Sequence, residues 1–60
     1  MKTYYRDQDG YTYYIKDGDL MAWPTFQDGT PDLENEAYVS EFDMPLTPDE
    51  EEAIRRHLAE

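Results

Sequence analysis

Two Asp-Gly pairs eight residues apart, Asp9-Gly10 and Asp17-Gly18, constrain this chain more than any other feature. Two-residue hairpin turns of type I′ need positive φ at both central positions, which Asp-Gly supplies at low steric cost. The segments beside them, Thr3–Gln8, Tyr11–Lys16 and Asp19–Trp23, are rich in Tyr, Thr, Ile and Trp, residues that favour strands. Residues 1–23 therefore read as a three-stranded β-meander. The turns also imply a register. Across the first, Arg6 is expected opposite Tyr13, Tyr5 opposite Tyr14 and Tyr4 opposite Ile15. Across the second, Ile15 is expected opposite Leu20, Tyr14 opposite Met21 and Tyr13 opposite Ala22.

Opposed residues share a face, and successive residues alternate faces. One face then carries Tyr4, Tyr11, Tyr13, Ile15, Leu20 and Ala22. The other carries Tyr5, Tyr14, Met21 and Trp23, an aromatic row. Small Ala22 suits the first face to the close approach of a helix.

Pro24 ends the third strand, and residues 24–36 read as an acidic loop containing a third Asp-Gly at Asp28-Gly29. Thr30-Pro31-Asp32-Leu33-Glu34 echoes the later Thr47-Pro48-Asp49-Glu50-Glu51, which suggests a single helical turn within the loop. Residues 37–43 read as a fourth strand. Residues 47–59 read as a helix: Thr47 caps it, Pro48 suits the first helical position, and Glu50 completes a capping box. Glu51–Arg55 and Glu52–Arg56 are i,i+4 pairs in the favourable order. Ile54 and Leu58, with Ala53 and His57 alongside, form the helix's inward side. The expected fold is α+β: a single domain over residues 1–60, with a small antiparallel sheet and one C-terminal helix packed on one face.

Composition tests whether such a chain folds at all. Leu, Ile, Val and Phe number only nine of sixty, and the net charge is −10, a pairing that approaches disorder. Six Tyr, one Trp and two Phe argue the other way, because each can bury a large area. There is no cysteine, so no disulfide staples the fold, and the chain suits a reducing cytoplasm. No run approaches the roughly 20 apolar residues of a membrane span, and the polar start lacks a signal-peptide core.

Catalysis has little to build from. The single Ser40 and single His57 are not locally linked, and His57 falls in the last helical turn, where a cation suits the helix dipole. A cleft able to split the pKa values of paired carboxylates needs more room than sixty residues offer. Asp7-Gln8-Asp9-Gly10 and Asp17-Gly18-Asp19 put oxygens near turns, as calcium loops do, but the EF-hand spacing is missing. Both read as plain turns. The chain is expected to be no enzyme, to hold no metal and to need no cofactor.

Charge is the main functional signal, and it is uneven. Residues 1–27 carry four acids and three bases; residues 28–60 carry eleven acids and two bases. A net −10 exceeds the magnitude of about 2–8 that solubility calls for in a small domain. Self-repulsion on that scale costs stability. Asp28, Asp32, Glu34, Glu36, Glu41, Asp43, Asp49, Glu50, Glu51 and Glu52 are the candidate partner-binding acidic surface. The aromatic row Tyr5, Tyr14, Met21 and Trp23 is the candidate anchor, since Tyr and Trp dominate binding hot spots. The competing reading has Pro24-Thr25-Phe26 and Leu33 folding back over that row as a second small core.

A polyanionic chain repels nucleic acid, so direct binding to nucleic acid or membrane is not expected. The expected partner is a basic protein surface, above all that of a nucleic-acid-binding protein. The expected function is a small acidic inhibitor that docks there, with DNA mimicry as one mode of doing so. In type, it is similar to phage or mobile-element counter-defence factors of the anti-CRISPR or anti-restriction kind, acting in the host cytoplasm; no motif of a particular family is present. The alternative is a non-catalytic structural or assembly accessory, or adaptor module, binding through its aromatic sheet face or a sheet edge.

Overall fold

The computed structural model describes residues 1–60. Strands β1 (Tyr4–Arg6), β2 (Tyr11–Lys16), β3 (Asp19–Pro24) and β4 (Ala37–Tyr38) form one antiparallel sheet in sequential order. Helix α1 (Pro48–Ala59) follows and packs on one face. Single 3₁₀ turns at Leu33–Asn35 and Val39–Glu41 flank β4. The expected α+β architecture is the one observed. No helix is long and apolar enough to cross a membrane.

The second hairpin is the one the sequence implies. Asp17 and Gly18 both adopt positive φ, 53° and 83°, as a type I′ turn requires. Pairing from Lys16 opposite Asp19 to Tyr11 opposite Pro24 matches the expected register throughout.

The first hairpin differs. Only Gly10 has positive φ there, and the Gly10 N–H donates to the Arg6 carbonyl at 3.0 Å, so the loop spans residues 7–10. Tyr4 lies opposite Tyr13, Tyr5 opposite Thr12 and Arg6 opposite Tyr11, two residues away from the expected register. The Asp9 side chain explains the wider loop. It accepts from the Tyr11 N–H at 3.1 Å, the Tyr13 hydroxyl at 2.6 Å and the Arg6 guanidinium at 3.1 Å. A tight turn would commit Asp9 to the turn instead. Because the displacement is two residues, every side chain keeps its expected face.

The fourth strand is also shorter than the expected 37–43. Continued alternation would put Glu41 on the core face with Ala37, and Phe42 on the opposite one. The 3₁₀ turn at Val39–Glu41 breaks that phase. Val39 is buried, Glu41 is exposed, and Phe42 packs on Tyr11 with ring centroids 4.9 Å apart and planes tilted by 35°.

The core lies between α1 and the first face. Tyr13, Leu20, Ala22, Val39 and Ile54 are buried there, with Tyr4, Tyr11, Ile15, Phe42, Leu46 and Leu58 packed around them. Thr47 and Glu50 form the expected capping box, with reciprocal bonds of 3.2 and 2.9 Å. His57 stacks flat on Tyr4, at 4.6 Å and 5°. The helical turn expected within the 24–36 loop forms at Leu33–Asn35 and is capped by Asp32.

Candidate functional site

Ion pairing decides which acids are free to meet a partner. Arg6 bridges Asp9 and Glu50, Lys16 lies 3.6 Å from Glu36, and Arg55 and Arg56 pair with Glu51 and Glu52 along the helix. The remaining cation, Lys2, donates to the carbonyl oxygen of Glu60. All five cations are thus engaged. They cover five of the fifteen carboxylate side chains, which leaves ten without a cation.

The ten acids expected to form one binding surface divide accordingly. Glu36, Glu50, Glu51 and Glu52 are ion-paired. Asp28, Asp32, Glu34, Glu41, Asp43 and Asp49 are not. Two of these six have local structural work. Asp28 accepts from the hydroxyl and backbone N–H of Thr30, bonds that hold its carboxyl below the usual range. Asp32 caps the 3₁₀ turn and accepts from Asn35. Glu50 is likewise held low, by the Thr47 backbone N–H first and then by Arg6. The sheet also separates the set. Glu36 accepts from the hydroxyl of Tyr14 on the second face, whereas Glu50, Glu51 and Glu52 ride on the helix over the first.

On the second face the side chains form two cross-strand rows: Tyr5, Thr12 and Trp23, then Tyr14, Met21 and Tyr38. The expected aromatic row is only partly presented. Tyr14 and Met21 are buried, because Trp23 stacks on Tyr14 at 3.8 Å and the Leu33–Asn35 turn packs against β3. Thr12 is buried too, and its hydroxyl shares a 2.7 Å hydrogen bond with that of Thr25. The 24–36 loop therefore covers part of this face, as expected, through Thr25 and the Leu33–Asn35 turn, while the side chains of Phe26 and Leu33, also expected to close it, stay exposed. Tyr5 and Tyr38 are each about half exposed and Trp23 is half-buried. Tyr38 was hidden from pattern reading because its place in the row depends on where β4 pairs.

A third feature shares only Glu41 and Asp43 with the expected sites. A hollow of about 450 Å³ opens beside Asp9, Tyr11, Ala37, Glu41, Phe42 and Asp43, with Met44 and Leu46 completing it. Tyr11 and Phe42 form its aromatic wall, and Met44 is 88% exposed. Its signal in the sequence was the alternation Glu41-Phe42-Asp43-Met44, in which apolar residues stand between acids.

Ser40 and His57 line separate hollows, one with Asp19, Glu51 and Arg55, the other with Arg6, Gln8 and Glu50. No group of three or more His, Asp or Glu side chains is arranged to hold a metal ion. Comparison with protein-family models, with curated proteins and with solved structures returns no match to this chain.

Proposed function

We propose that this protein is a small, acidic, non-catalytic inhibitor that docks on the basic surface of a nucleic-acid-handling protein, in the cytoplasm of the cell where it acts. One observation carries the reading: every cation is already engaged within the fold, while ten carboxylates have no cation. The protein thus offers a partner carboxylates and almost no competing positive charge. Such a field speeds encounter with a basic surface and repels polyanions. A groove built for phosphates is the surface most complementary to it, which is the sense in which the protein would act as a DNA mimic.

The test is capture on the immobilised protein from a lysate, followed by washes of rising salt. Recovery of a nuclease, polymerase or other nucleic-acid-binding protein that is released at moderate salt supports the proposal. Recovery only of components retained at high salt contradicts it.

A second reading, an assembly accessory or adaptor, is favoured by Tyr5 and Tyr38, aromatic side chains half exposed on the second face. It predicts that Tyr5→Ala with Tyr38→Ala is far more damaging to binding than neutralising Glu34, Glu41 and Asp43.

A further inference from the structure

We propose that the hollow between Tyr11 and the Glu41–Leu46 segment is the docking pocket for an arginine-bearing segment of the partner protein. This rests on the acidic-inhibitor reading above and assigns its point of contact. The hollow, at about 450 Å³, falls within the roughly 300–1,000 Å³ range of sites that hold a small group. Its inner wall is apolar and aromatic: Tyr11, Ala37, Phe42 and Leu46.

The carboxylates at this hollow are of two kinds. Asp9 is turned to internal use by Arg6, Tyr13 and the Tyr11 N–H. Glu41 and Asp43 have no cation partner, and both are exposed. Apolar wall and free carboxylates together match a side chain with an apolar stem and a cationic head. Arginine fits better than lysine. Its planar guanidinium stacks on aromatic rings and can hydrogen-bond a carboxylate with two parallel N–H groups. Met44, almost wholly exposed beside the two acids, is a flexible apolar cover for the stem.

Packing fixes both ends of the segment that forms one wall of the pocket. Glu41 ends the 3₁₀ turn that places Phe42 on Tyr11, and Leu46 packs against the core just before the Thr47 cap. The segment between them is pinned at both ends, and the side chains of Asp43 and Met44 project from it exposed.

The experiment is a titration of the ¹⁵N-labelled full chain, followed by NMR. The probe is a capped pentapeptide with two arginines between serines, alongside its lysine counterpart. Saturable shifts centred on Tyr11 and Glu41–Leu46, with tighter binding of the arginine peptide, are expected. Glu41→Gln with Asp43→Asn should weaken binding about tenfold, as loss of charged hydrogen bonds does. Met44→Ala should weaken it about threefold with the salt dependence unchanged, because only apolar contact is removed. Peptide binding that maps to the helix or to the 24–36 loop, untouched by these variants, overturns the pocket while leaving the acidic-inhibitor reading standing. Absence of binding to either peptide at low salt also overturns the pocket, whereas the acidic-inhibitor reading falls only with the lysate capture.

Discussion

The Tyr13 hydroxyl donates a 2.6 Å hydrogen bond to the Asp9 carboxylate, which ties the buried centre of the sheet to the first hairpin loop. Arg6 binds the same carboxylate and reaches across to Glu50 in the first turn of α1. One buried hydroxyl thereby takes part in a chain that links β1, β2 and the helix. Tyr13→Phe should lower the unfolding free energy by about 1.5 kcal/mol, the worth of a hydrogen bond to a charged group. Urea unfolding measures this, with an unchanged dependence on denaturant showing that the fold itself is kept.

The same contact contributes stability that is lost at alkaline pH. Burial first, and the negative Asp9 second, push the Tyr13 hydroxyl well above its ordinary value of 10.0, with Arg6 opposing. The neutral form is favoured in the folded state. Its contribution is therefore complete below pH 10 and is lost as the pH rises above that toward the raised folded value. Unfolding free energy should fall above pH 10, and Tyr13→Phe should flatten that fall. A pH series of urea curves for the two proteins checks it.

Gly18 is required in its turn by backbone conformation rather than by side-chain space. Its φ is 83°, and a Cβ built there meets nothing within 4 Å. Gly18→Ala should therefore cost about 1–2 kcal/mol from the left-handed conformation, with no packing penalty. A thermal melt would show the loss, and an NMR spectrum should retain the Lys16–Asp19 pairing.

Ile54 is the one fully buried side chain that α1 contributes to the core. Ile54→Ala should cost about 2–5 kcal/mol, as deletions at buried aliphatic sites do. In a domain whose whole stability is of the order of 5 kcal/mol, that suffices to populate the unfolded state. Circular dichroism at 25 °C should show loss of the helix together with the sheet.

How far the sequence could be read depended on how local each determinant was. The Asp17-Gly18 turn and the Thr47–Glu50 box are set by residues within one turn, and both formed as expected. Asp9-Gly10 carries the same turn signal, yet Asp9 is drawn off by Tyr13 and Arg6, partners that only the folded sheet brings together. Face assignment is insensitive to that two-residue shift because it depends on parity alone. Alternation extends the fourth strand to residue 43 because it cannot reveal the turn that brings Phe42 onto Tyr11. Among the acids, the i,i+4 pairs were legible, but the capture of Glu50 by Arg6 and of Glu36 by Lys16 and Tyr14 needed the tertiary fold.

The central claim is that unpaired carboxylates bring this protein to a basic, nucleic-acid-handling partner. Its most direct test is the affinity for the captured partner, measured across a salt series with and without competing duplex DNA. The account predicts that Kd rises steeply with salt, that DNA competes, and that Glu34→Gln, Glu41→Gln and Asp43→Asn together weaken binding and flatten the salt slope. An affinity indifferent to salt, to DNA and to those three substitutions would contradict it.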